Sequence, residues 1–97
     1  MHEGTADSDE TRRLLGQAQA GDRRAFEELF ARHHDYLHRV IALRLDPRMR
    51  ARLDASDVVQ DTQLEAFRRL SDYCRRRPMP FRLWLRKTAQ ELSLIHI

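Results

Sequence analysis

The sequence predicts an all-α protein, a small bundle of about four helices. Apolar residues recur at helical spacing along most of the chain, and turn-forming residues separate the periodic stretches. No stretch alternates apolar and polar residues with the period of a β-strand. The chain has 97 residues, of which 41% are hydrophobic and 34% charged. These values are typical of one globular domain with a modest core.

The first helix is delimited by residues that begin and end helices. Residues 1–9 form a polar, acidic stretch that we expect to be a flexible tail, without the pattern of a signal peptide. Ser8 or Asp9 caps a helix over about Glu10–Ala20, and Gly21 ends it. The folded domain is therefore expected to start near residue 10.

A second, longer helix is predicted over about Arg23–Leu45. Asp22 is its N-cap, and Asp46-Pro47 ends it because proline disfavours helix at the preceding residue. Its apolar stripe continues for five turns at 3.6-residue spacing and consists of Phe26, Leu29, Phe30, His33, Leu37, Val40 and Ile41.

The third and fourth helices are separated by an arginine-rich loop. Asp54 caps a helix that runs to about Tyr73, residues 74–80 form the loop, and Pro80 is placed to open the last helix. In that helix Phe81, Trp84, Leu85, Thr88 and Leu92 are expected to face inward. The predicted core of the bundle comprises Phe26, Phe30, Leu37, Ile41, Val58, Thr62, Phe67, Leu70, Phe81, Leu85 and Thr88.

The charges are distributed unevenly along the chain. The net charge is +3, but residues 1–65 carry ten arginines against thirteen acidic residues, and residues 66–97 carry eight basic against two acidic. This asymmetry indicates that the C-terminal third meets a polyanion. Arginine makes up seventeen of the eighteen basic residues, which suits phosphate contacts and is also what a GC-rich genome produces.

The third helix has a second face that differs from an ordinary solvated surface. On a helical wheel Asp57, Gln60 and Asp61 surround an outward Leu64, and the face carries no lysine. An apolar side chain surrounded by polar groups is typical of a small docking patch. The alternative is a solvated face with one stray leucine.

The sequence offers little for catalysis or metal binding. His34 and His38 have a zinc-helix spacing but lack the accompanying glutamate and a third ligand. Cys74, the only cysteine, has basic neighbours expected to lower its pKa, but no base accompanies it. We therefore expect no enzyme activity, no cofactor, no metal and no small-molecule substrate. No apolar run is long enough for a membrane span. Because a single cysteine cannot form an internal disulfide and the N-terminus lacks a signal-peptide pattern, we expect a cytoplasmic protein.

Three motifs together resemble region 2 of bacterial extracytoplasmic-function (ECF) sigma factors. They are Gly21-Asp-Arg-Arg-Ala-Phe-Glu-Glu-Leu-Phe30, Asp57-Val-Val-Gln-Asp-Thr followed by Leu64-x-Ala-Phe-Arg-Arg-Leu70, and Pro80-Phe-Arg-Leu-Trp-Leu-Arg-Lys-Thr-Ala-Gln90. Their order and spacing also match, and the likeness covers about Leu14–Glu91. It implies a helical region-2 domain over residues 10–91.

This resemblance implies two partners, RNA polymerase and promoter DNA. Asp57, Gln60 and Asp61 match positions that contact the clamp helices of the polymerase β′ subunit. Leu64 lies on the same face of the helix and is included in the predicted polymerase-binding set. The basic C-terminal segment matches the part that captures the non-template strand of the melted minus-ten element. The DNA-binding residues it implies are Arg75, Arg76, Arg77, Arg82, Trp84, Arg86 and Lys87. The alternatives are a core position for Trp84 and a solvated loop for the three consecutive arginines.

The C-terminus departs from the family pattern. A complete ECF sigma factor continues into region 4, a helix-turn-helix, which is absent here. Residues 92–97 correspond to the codons CTG TCT CTT ATA CAC ATC, which resemble a transposon-end sequencing adapter, so we expect a truncated frame with a non-native tail. A second hypothesis is a helical protein–protein adaptor that binds polymerase or an anti-sigma factor without recognising DNA.

Overall fold

The computed structural model describes residues 7–44, 54–77 and 79–95, with side chains up to residue 92. These residues form five α-helices and no strand, which confirms the all-α prediction. The helices are α1 (Asp9–Gln19), α2 (Arg23–Arg32), α3 (His34–Arg44), α4 (Ala55–Arg76) and α5 (Phe81–Ile95).

The bundle is organised around α4, the longest helix, which packs against α1, α3 and α5. α1 packs mainly on α2, and α3 also contacts α5. Two threonines are buried with their hydroxyls satisfied inside their own helices. Thr62 Oγ1 donates to the Val58 carbonyl oxygen at 2.7 Å, and Thr88 Oγ1 donates to the Trp84 carbonyl oxygen at 2.9 Å. Burial is confirmed for Phe26, Phe30, Leu37, Ile41, Val58, Thr62, Leu70, Phe81, Leu85 and Thr88.

Phe67 is the one predicted core residue that the structure places at the surface. Its side chain is 40% exposed. One side of the ring meets the buried Phe26 edge-on, with centroids 5.1 Å apart, and the Arg23 guanidinium lies 4.7 Å from the ring centroid. The core prediction was wrong here because Phe67 lies at the edge of the apolar stripe of α4, where neighbouring helices decide its burial.

The single long helix predicted over residues 23–45 is two helices, α2 and α3. α2 ends at Arg32, and the backbone of His33 leaves the helical conformation with φ −108° and ψ 2°. The His33 N–H bonds to the Phe30 carbonyl in a tighter turn, while its Nδ1 lies 2.9 Å from the Leu29 carbonyl oxygen. The break directs α3 onto α4 and α5. Leu45, the predicted end of the long helix, lies outside the described residues, as do residues 46–53.

The predicted N-caps are confirmed. Ser8 Oγ accepts from the Thr11 N–H at 3.1 Å, and an Asp22 carboxylate oxygen accepts from the Ala25 N–H at 3.2 Å. Asp54 does the same for the Ser56 N–H at 3.0 Å. Gly21, which was expected to end the first helix, lies just after α1. Its φ is 104°, a backbone conformation that residues with a side chain rarely adopt.

α4 extends one turn further than the sequence indicated. It ends at Arg76, and Arg77 caps it in the left-handed conformation with φ 43°. Arg75 and Arg76 therefore lie on the last helical turn rather than in a loop. Positive charge there is favourable because it complements the partial negative charge of the helix C-terminus.

Candidate functional site

The acidic face predicted on α4 is present at the surface. Asp57, Gln60 and Asp61 are exposed, and Leu64 between them is 63% exposed. The opposite side of the same helix supplies Val58, Thr62 and other core residues. Core packing thus orients the face outward, with carboxylate and amide groups around a leucine.

The three consecutive arginines lie at the other end of α4. Arg75 Nη2 donates to an Asp72 carboxylate oxygen at 2.9 Å, and Arg76 Nε lies 3.3 Å from the same oxygen. All three side chains are exposed. At about 1.5 Å rise per residue, Arg75 lies about 27 Å along the helix from Asp57. The two candidate surfaces are therefore separate and leave room for two partners.

Trp84 is in the core. It is 8% exposed, and its ring stacks on Tyr73 with centroids 4.5 Å apart and an interplanar angle of 26°. The structure thus favours the core alternative, because Tyr73 covers one face of the indole. Trp84 also lines a cavity of about 170 Å³ between α4 and α5, together with Arg76 and Lys87. This cavity brings three predicted DNA-binding residues together.

Arg82 and Arg86 lie on a different side of α5. The Arg82 guanidinium lies over the Tyr36 ring of α3, 4.7 Å from its centroid, and its Nε is buried without a hydrogen-bond partner. Both arginines are half-buried, whereas Lys87 is exposed. The predicted DNA-binding set is therefore divided: Arg76, Trp84 and Lys87 line the α4–α5 cavity, whereas Arg82 and Arg86 lie on another side of α5. Tyr36, which sequence analysis missed, belongs to the second group.

The chemistry of Cys74 differs from the expectation. The thiol is buried, and burial raises its pKa, an effect that the nearby Arg77 only partly offsets. The prediction of a lowered pKa was wrong because desolvation of the thiolate outweighs the positive neighbours. Among the described residues no group of three metal-ligating side chains occurs, although the His34 and His38 rings stack 6.2 Å apart.

Comparison with known proteins identifies the family. The sequence-family model described as sigma-70 region 2 matches residues 29–97 of this chain. This segment includes α3, α4, α5 and every candidate site residue. The chain belongs to the sigma-70 region 2 family. The recognition made from the three sequence motifs is confirmed.

This sigma region 2 chain is also similar to an ECF RNA polymerase sigma factor, SigM of Mycobacterium tuberculosis, in the Erdman and H37Rv strains. The identity is 47% over 55 residues, which cover 57% of this chain and 26% of each relative. The chain thus matches only a minor part of those proteins. No solved structure matches it. Within the described part of the sigma region 2 chain, no helix is long and apolar enough to cross a membrane.

Proposed function

We propose that this chain is the promoter-melting module of an ECF-type sigma factor, which docks on the β′ clamp helices of RNA polymerase and binds the non-template strand of the minus-ten element. The observation that carries the proposal is the exposed face of α4. Asp57, Gln60 and Asp61 surround an exposed leucine there, inside the segment that matches sigma-70 region 2. The relative's name, an RNA polymerase sigma factor, supports the same partner.

The proposed docking is electrostatic at its rim and apolar at its centre. Carboxylates on α4 accept charge-assisted hydrogen bonds from basic side chains of the clamp, and Leu64 supplies apolar area between them. Promoter DNA meets the opposite end of α4, where Arg76 and Lys87 line the cavity next to Trp84 and Arg75 is exposed on the same helical turn as Arg76. An anti-sigma factor that covered the α4 face would block polymerase docking.

A helical adaptor that binds polymerase or an anti-sigma factor without recognising DNA is the second candidate function. It is favoured by the burial of Trp84 under Tyr73 and by the ion pairs that Asp72 makes with two of the arginines. Both features reduce the surface offered to single-stranded DNA. Polymerase docking is tested first.

The double variant Asp57→Arg/Asp61→Arg is expected to lose affinity for core polymerase. If the contact is desolvated, charge reversal costs roughly 2 kcal/mol or more, about 30-fold in Kd. Binding is measured by fluorescence anisotropy of the labelled chain titrated with core enzyme. A matched control, Asp9→Arg/Asp35→Arg, changes the charge equally at exposed first-turn positions of α1 and α3. Equal affinity of the two double variants, with helicity intact, would refute the docking face.

A further inference from the structure

A groove lies beside the acidic face, between α2 and α4. Its volume is about 290 Å³, at the lower limit of the ~300–1,000 Å³ typical of small-molecule pockets. Leu64 and Phe67 of α4 line it, together with Arg23 and Glu27 of α2. The groove thus has the size for a protruding side chain and apolar residues to receive it.

The groove exposes two large apolar side chains that lie next to each other on α4. Leu64 is 63% exposed and Phe67, three residues later on the same face, is 40% exposed. Fully burying such a side chain stabilises by about 1.5–3 kcal/mol, so leaving two of them together at the surface forgoes that gain. Exposed apolar side chains that adjoin one another and are surrounded by polar residues are typical of interaction sites.

Charged side chains of α2 lie at one edge of the groove. The Arg23 guanidinium lies over Phe67, 4.7 Å from the ring centroid, and its Nε is 3.6 Å from a Glu27 carboxylate oxygen. At the α4 edge the groove is continuous with the docking face, because Gln60 and Leu64 line both. A partner that crosses the two therefore meets carboxylates first, then the apolar groove, then a guanidinium.

We infer that the α2–α4 groove extends the docking face and receives an apolar side chain from the polymerase clamp helix, whose acidic residue pairs with Arg23. This inference rests on the proposed function. The clamp helix would lie across α4 as an amphipathic helix. The face that contacts Asp57 and Asp61 would also place one apolar side chain in the groove, as in other helix-in-groove complexes. Phe67, Leu64 and Arg23 are then determinants of partner choice.

Two variants test the inference in the complete chain with core polymerase. Phe67→Ser removes the apolar wall, and Arg23→Glu reverses the charge at the far edge. Arg23 is the first residue of α2, so a glutamate there is compatible with the helix dipole and should leave folding intact. Leu43→Ser is the matched control, since Leu43 is an equally apolar side chain, 78% exposed, at a different surface.

Each groove variant is expected to weaken binding at least tenfold, whereas Leu43→Ser binds like the wild type. Wild-type affinity of both groove variants, together with lost binding of Asp57→Arg/Asp61→Arg, would overturn the groove and leave the docking proposal standing. Failure of the wild type to bind core polymerase would refute docking itself. If Phe67→Ser instead abolishes a dimer seen by sedimentation and leaves polymerase affinity unchanged, the occupant is a second copy and the inference is wrong. If Phe67→Ser does not fold, Arg23→Glu alone decides.

Discussion

Tyr73 is a buried residue whose phenol hydroxyl has a shifted pKa. Its ring is buried between Trp84 and Phe81, with centroid distances of 4.5 and 5.9 Å, and its hydroxyl donates to the Met79 carbonyl oxygen at 2.7 Å. Burial raises the pKa of Tyr73 to about 12, and the negative charge of Asp7 adds to the effect. The phenol therefore stays protonated in the folded state well into alkaline conditions.

The raised pKa of Tyr73 makes stability depend on alkaline pH. The folded pKa of about 12 exceeds the ordinary value of 10.0, so the folded state binds the proton more tightly. This contribution, on the order of 2 kcal/mol, is complete below pH 10 and is lost as the pH rises toward 12. The free energy of unfolding, measured by urea titration at several pH values between 10 and 12, should fall less steeply with pH in Tyr73→Phe than in the wild type. Tyr36→Phe is the control for removing a phenol hydroxyl, and identical declines in the two variants would contradict the prediction.

The start of α5 depends on a residue at the other end of the chain. An Asp7 carboxylate oxygen accepts a hydrogen bond from the Phe81 N–H at 2.8 Å. Helix N-termini leave backbone N–H donors unsatisfied and favour negative charge. The Asp7 carboxylate supplies both an acceptor and a negative charge at the start of α5. Asp7, expected in the tail, thus caps α5, next to the predicted cap Ser8 of α1.

Removing this cap should destabilise the domain. Asp7→Ala is expected to cost about 1 kcal/mol, equivalent to roughly 4–8 °C in Tm for a domain of this size. Asp7→Asn keeps the hydrogen bond and should recover most of that loss. Thermal unfolding followed by circular dichroism measures both, with Asp9→Ala as an exposed acidic control. A Tm of Asp7→Ala that matched the wild type would show that the cap contributes nothing.

At the scale of the whole molecule, α4 separates the two predicted activities. Its N-terminal half carries the acidic docking face, and its last turn carries basic residues beside the α4–α5 cavity. An ion pair holds α4 to α5 near that cavity. Arg69 Nη1 donates to a Glu91 carboxylate oxygen at 2.9 Å, and this hydrogen bond is the main cause that raises the pKa of Arg69. In the proposed function, polymerase and DNA therefore meet opposite ends of α4.

Single-stranded minus-ten DNA should bind weakly and with a strong dependence on salt. Counterion release gives a slope of roughly −0.7 per phosphate neutralised, so four contacts would give a slope near −3. Replacing Arg75–Arg77 by alanine should lower both the affinity and the slope. An equal loss of charge on α2 and α3, Arg24→Ala/Arg32→Ala/Arg39→Ala, is the control. If the Arg75–Arg77 variant binds like the wild type, these arginines are solvated and the adaptor function gains support.

The sequence by itself determined the helical class, most helix boundaries, most of the core and the outward face of α4. These depend on local physics: the 3.6-residue period orients Asp57 and Val59 to opposite sides of α4, and caps such as Asp22 and Asp54 satisfy donors within three residues. The break after Arg32 escaped detection because the apolar stripe continues in phase across it.

The tertiary structure decided the properties that depend on neighbours distant in sequence. Phe67 stays 40% exposed although Phe26 and Arg23 of α2 both contact its ring, and Trp84 is buried because Tyr73 stacks on it. Burial reversed the expected direction of the Cys74 pKa. Asp7 caps a helix 74 residues away. Periodicity specifies the direction in which a side chain leaves its helix, but burial and electrostatics are set by what the rest of the chain places there.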